Sequence, residues 1–225
     1  EAYVARLERA GAGVTLAILA KPVVPGAAFE PGAGPALAVG TAEGERIFAR
    51  RDFDAEHDGA QALCATLPLA DAEPIGPHRF RLEGEAALDL LVHLSERPAE
   101  PGLTIEWPKD RPRISRSVRA SDLRVAVENR RDWFGLSGGV EVDGLSVDIA
   151  LALDAARRGD RYVQAEPGVF IALADELRDQ LARAADQVHE GRGGLELSIA
   201  AAPSIEALVQ DGAELRAARE FSDLL

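Results

Sequence analysis

The chain has 225 residues, of which 47% are apolar and 28% charged, an ordinary globular balance that excludes wholesale disorder and allows one large domain or two small ones. A net charge of −13 opposes general attraction to nucleic acid or anionic lipid. No apolar run nears the ~18 residues of a membrane helix, and the single cysteine excludes an internal disulfide or a cysteine-rich zinc site.

In chain order, Gly13–Ala20 reads as a strand, and the Gly/Pro/Ala-rich stretch from Pro22 to Pro35 as a loop. Ala36–Thr41 and Glu45–Arg50 suit a hairpin around Glu43-Gly44. Asp54 to Leu67 suits a helix, and Pro68, Pro74 and Pro77 then exclude regular helix before His78. His78–Glu83 alternates as a half-buried strand does, and Gly84 ends it. Leu88, Leu91, Val92 and Ser95 follow at helical spacing until Pro98, and Leu103–Trp107 alternates until Pro108.

Further on, Leu123–Glu128 alternates and Val140–Gly144 is a short strand with a turn signal. Ile149, Leu153 and Ala156 form a helical stripe; Arg157 and Arg158 complement its C-terminal dipole, and Gly159 is free to take a left-handed cap. Arg161–Glu166 and Val169–Leu173 flank Pro167-Gly168, which suits a type II turn. Leu177, Leu181, Ala184 and Val188 predict an amphipathic helix, Leu195–Ile199 a strand, and the residues from Ser204 a helix interrupted at Gly212. Strands, hairpins and helices mixed in this way predict an α+β fold with largely antiparallel sheets. If there are two lobes, they are residues 1–107 and 122–225, joined by a basic linker or loop over 108–121.

The charge is uneven. Residues 109–131 carry eight basic side chains (Lys109, Arg111, Arg113, Arg116, Arg119, Arg124, Arg130 and Arg131) against three acidic ones. They form either a solvated strand edge or a strip that touches phosphate or an acidic partner. Beside them, Trp133 and Phe134 place two large rings next to Arg130 and Arg131. Those rings are either a core plug or a stacking surface.

Chemistry-bearing motifs are sparse. Gly135-Leu136-Ser137-Gly138-Gly139 matches the G-x-S-x-G elbow of acyl hydrolases, with Asp175 and His189 following in suitable order, so a small serine hydrolase is the alternative reading. The residues after it read as a strand where the elbow needs a helix, which favours a tight turn between two strands. His57 and Cys64, seven residues apart, would share a helix face, but no third group orients them. No phosphate-binding G-x-x-x-x-G-K-[ST] loop, H-E-x-x-H or paired Cys/His spacing occurs, so no metal site and no small-molecule substrate is evident.

Several segments together resemble a known family. They are Ile105-Glu106-Trp107-Pro108, Arg130-Arg131-Asp132-Trp133-Phe134-Gly135-Leu136-Ser137-Gly138, Val140-Glu141-Val142-Asp143-Gly144, Arg161-Tyr162-Val163 and Gly168-Val169-Phe170-Ile171-Ala172-Leu173. This pattern is similar to a region of bacterial Swi/Snf-type helicases that lies just before the two-lobed ATPase core, and it covers residues from about 78 to 225. The resemblance implies a non-catalytic accessory region of a cytoplasmic, ATP-driven translocase on double-stranded DNA, of helicase superfamily two. Trp107, Asp132, Trp133, Phe134 and Gly135 would be its structural motif residues. ATP and magnesium would be bound beyond Leu225, and this region would carry no cofactor. Its partners would be the ATPase core of the same polypeptide and double-stranded DNA, with Lys109, Arg111, Arg113, Arg116, Arg119, Arg130 and Arg131 as the contact residues. The absence of any methionine, with a start at Glu1-Ala2-Tyr3-Val4, predicts an internal fragment, or a processed chain, of something larger.

Overall fold

A computed structural model describes residues 2–130, 133–191 and 194–223. The fold is α+β, and the chain divides into two compact units, residues 1–111 and 112–225.

In the first unit, β1 (Ala2–Ala10) and β2 (Gly13–Lys21) form a long antiparallel pair, followed by a hairpin of β3 (Leu37–Ala42) and β4 (Glu45–Arg50). Helix α1 (Phe53–Ala65) starts where the Asp52 side chain accepts from the Ala55 N–H. Then come β5 (Glu73–Gly76), β6 (Arg79–Leu82), α2 (Gly84–Glu96) and β7 (Leu103–Glu106). The main sheet runs β5-β6-β2-β1-β7, with β7 parallel to β1. Val4, Leu7, Leu16 and Ile18 of its central strands are buried, as are Leu90, Leu91 and Leu94 of α2.

The loop before β3 has its own internal post. Arg51 and Glu56, with side chains 0% and 2% exposed, form a two-pronged ion pair through Arg51 Nε–H to Oε1 (2.8 Å) and Nη2–H to Oε2 (2.6 Å). The remaining guanidinium protons donate to the carbonyls of Glu30, Ala33 and Pro35, and the Phe29 and Phe53 rings sandwich the cation at 4.5 and 4.9 Å. A stretch that reads as plain loop is thereby tied to one buried charge.

The second unit opens with β8 (Arg113–Val118), β9 (Leu123–Asn129), β10 (Phe134–Val142) and β11 (Leu145–Asp148). Next come α3 (Ile149–Arg158), β12 (Tyr162–Glu166), β13 (Val169–Leu173) and α4 (Asp175–Ala185). The chain continues through β14 (Val188–Gly191), β15 (Gly194–Leu197), α5 (Ala202–Gln210), β16 (Glu214–Ala217) and α6 (Arg219–Ser222). The larger sheet runs β14-β15-β10-β9-β16, with β11 on β10; a smaller one runs β12-β13-β8. Leu153 and Ala156 of α3, Leu177 and Leu181 of α4, and Ile205 and Leu208 of α5 join Val125, Val127 and Leu136 of the sheet in one core. Gly159 takes the left-handed cap at φ 81° and Gly168 the second turn centre at φ 74°, as the sequence predicts.

Four expectations are corrected. The segment 108–121 is not all linker: β8 occupies much of it, joined to β13 by Arg113 N–H to Gly168 C=O (2.9 Å) with Val118 fully buried. Its partner strand is over fifty residues away, so local charge and Pro112 hide it. Val188 does not end α4 but starts β14. Gly135–Gly139 is not a turn; it lies inside continuous β10. Gly138, at φ 132°, has no room for a Cβ against the Arg124 carbonyl, so glycine is what lets β9 and β10 pair closely there. Finally, the chain after Gly212 does not resume the helix expected from Ser204 but forms β16, and β1 arises where local pattern predicts no element.

Candidate interaction surface

The β9–β10 turn separates the two adjacent rings. Antiparallel register pairs Phe134 with Asn129, and the Arg130 N–H donates to the Trp133 carbonyl at 2.9 Å, closing the turn. Strand alternation then sends Phe134 inward, where it is 9% exposed and meets the buried Phe221 ring edge-to-face at 4.9 Å. Trp133 is left 48% exposed. Gly135 has a matching role: a Cβ there would come within 2.6 Å of Arg130 Nε, so the missing side chain lets the guanidinium lie across the strand.

Other exposed groups gather at this end of the sheet. Leu197 pairs with Phe134, so Ile199, 65% exposed, follows at the same end. The Ala218 N–H donates to the Val127 carbonyl, which brings Arg219 there too. Trp133, Ile199, Arg130 and Arg219 are thus exposed toward one end of the sheet. Arg131 and Asp132 lie outside the described residues.

The basic strip is divided between the two units. Lys109 and Arg111 belong to the first unit, where Arg111 lies over the Trp107 ring at 4.3 Å. Trp107 lines an open groove of about 350 Å³ with Leu94, Arg97, Ile105 and Arg111. In the second unit, Arg116 donates two hydrogen bonds to Asp122, at 2.9 and 2.6 Å, and the Arg119 N–H donates a third at 3.0 Å. These bonds, the guanidinium's first, hold the Asp122 carboxyl below the usual carboxylate range. Arg124 lies between Glu141 and Glu214. Among the described residues, Lys109, Arg113 and Arg119 keep side chains without an ion pair. Of the seven expected contact residues, Lys109 and Arg111 lie in the first unit, Arg113, Arg116, Arg119 and Arg130 in the second, with Arg116 held by Asp122, and Arg131 lies outside the described residues.

The hydrolase constellation is not assembled. Ser137 sits exposed mid-strand, with no strand-to-helix turn. His189 pairs with Glu196, which pairs with Gly135, so the histidine is two strands away, about 10 Å, and further displaced along the strand. Asp175 begins α4. Cys64 is half-buried, and burial pushes its thiol up, away from the thiolate a nucleophile needs. His57 meets a different partner: its Nδ1 lies 3.1 Å from Nε2 of His78. That pair spans 21 residues and matches no spacing motif, so no sequence signal announces it. Burial, then the His57 imidazole, hold His78 below its ordinary value.

Among the described residues no three His, Cys, Asp or Glu side chains group as a metal site, and no helix is long and apolar enough to cross a membrane. Compared with known proteins, the chain significantly matches no family model, no curated protein and no solved structure.

Proposed function

We propose that this chain is a non-catalytic accessory region of a bacterial, cytoplasmic Swi/Snf-type ATPase, and that it docks on the motor core of the same polypeptide through the Trp133 end of the second unit. The observation that carries the reading is the division of labour in the turn: Phe134 fills the core while Trp133 stands 48% exposed beside Arg130. Stability does not require an exposed tryptophan, whereas a docking site uses one well, because tryptophan and arginine dominate the energetics of protein interfaces. The resemblance of residues 78–225 supplies the partner. In this reading ATP and magnesium bind the motor, and the chain performs no chemistry itself.

Contact with double-stranded DNA is secondary. Lys109, Arg113 and Arg119 have charge to offer, but the net −13 opposes long-range attraction. Each phosphate contact would add about 0.9 to the salt slope of binding.

The test has two steps. Reading the gene past Leu225 should reveal a G-x-G-K-T loop in frame; its absence refutes the assignment. The motor it encodes, expressed separately, should bind this chain, and Trp133→Ala should weaken binding by about tenfold or more, the loss of a hot-spot residue. Equal affinity for wild type and variant places docking elsewhere.

A further inference from the structure

We propose that His57 and His78 form a two-histidine binding site for a divalent transition-metal ion, zinc or copper in class, clamping α1 to the β5–β6 turn. The site lies wholly within the first unit and stands apart from the docking reading.

Geometry carries the proposal. His57 Nδ1 and His78 Nε2 are 3.1 Å apart. Two zinc–nitrogen bonds of ~2.0–2.1 Å set their nitrogens about 3.0–3.4 Å apart for coordination angles from ~95° to tetrahedral. The ring centroids are 4.8 Å apart with planes at 65°. Imidazoles aimed straight at each other across that gap would hold their centroids about 5.4 Å apart. The rings are therefore inclined, as two ligands of one ion must be.

The backbone holds each ring in place. His57 projects from the middle of α1 and is solvent-exposed, so an ion can reach it and water can complete its coordination. His78 follows Pro77 in the β5–β6 turn at φ 51°, a left-handed position where glycine or asparagine is usual. Its carbonyl accepts from the Ile18 N–H at 3.0 Å, which fixes the turn on β2. A histidine at that position places an imidazole against α1 that a glycine would not provide.

Without metal, one of the two facing nitrogens carries a proton and donates it to the other. To ligate, the donor ring shifts that proton to its far nitrogen. Both imidazoles then present lone pairs, and no net proton is released. With two protein ligands, the site should follow the general series, binding Cu²⁺ more tightly than Zn²⁺.

The experiment titrates Zn²⁺ into the untagged chain by calorimetry, for wild type, His57→Ala and His78→Gly. Both changes are chosen to preserve folding, since His57 is exposed and glycine suits φ 51°. The expected result is one saturable zinc site in wild type, weakened at least about tenfold in each variant, as for loss of a ligand. Zinc should also raise the thermal midpoint of the wild type and not of the variants. No saturable binding at millimolar zinc, or binding that survives both substitutions, overturns the proposal.

Discussion

Replacing Glu56 by glutamine probes the buried post of the first unit. With Arg51 and Glu56 at 0% and 2% side-chain exposure, the substitution leaves a guanidinium without its counter-charge in a dry site. Breaking one partner of such a pair costs about 3–5 kcal/mol. Glutamine keeps one acceptor oxygen, so Glu56→Gln should fall near ~3 kcal/mol. Glu56→Ala also strips the Gly32 N–H of its carboxylate acceptor (3.3 Å) and should approach ~5 kcal/mol. The double variant Arg51→Met/Glu56→Leu separates charge from scaffold. It removes both ions, which alone is often neutral, but deprives the Glu30, Ala33 and Pro35 carbonyls of donors and the Gly32 N–H of its acceptor, at about 1 kcal/mol each. It should therefore remain about 4 kcal/mol below wild type, the whole deficit coming from the loop. Urea melts read each value as a shift in midpoint at constant slope. A loss below about 1 kcal/mol for Glu56→Gln, or a double variant as stable as wild type, refutes the idea that this pair holds the loop.

The two rings of the β9–β10 turn should respond oppositely: Phe134→Ala should cost about 3–5 kcal/mol in a urea melt and Trp133→Ala within about 0.5, and equal losses would contradict the burial difference. Gly138→Ala should destabilise by more than about 1 kcal/mol, because φ 132° and the Arg124 carbonyl both exclude a Cβ; a neutral result would mean that β9 and β10 separate at no cost. Acid should act partly through Asp122. Its folded pKa is depressed, so its contribution is complete above the ordinary carboxylate value and is lost as pH falls through the lowered one. Asp122→Asn should flatten the acid limb of the stability–pH curve, and an unchanged limb refutes the pairing with Arg116.

Much of the scaffold is legible residue by residue because the signals are local. Glu43-Gly44 marks the β3–β4 hairpin, Pro167-Gly168 marks the β12–β13 turn, and Arg157-Arg158-Gly159 closes α3. What escapes is set by partners far along the chain. β16 is only four residues long and exists because β9, about ninety residues earlier, offers it a parallel edge. β8 hides among arginines because burial of Val118 and pairing with β13 decide its state.

The same distinction governs the candidate sites. Composition finds Arg130, Trp133 and Phe134 as a cluster but cannot assign their sides, since either ring could face inward until the strand register is known. The register makes Phe134 the partner of Asn129 and Leu136 that of Val127, which sets Phe134, Leu136, Val140 and Val142 of β10 on the core face and leaves Trp133 outside the ladder. The surface follows from register alone, and a one-residue slip would exchange the two rings. Ile199 joins it only through the pairing of Leu197 with Phe134, a relation across some sixty residues. His57 and His78 meet for a similar reason: α1 and the β5–β6 turn are both anchored to the first sheet, and neither imidazole has a local motif to identify it. Spacing rules find sites built within one element. Both candidate sites here are built between elements, so each becomes visible only when the pairing of strands is known.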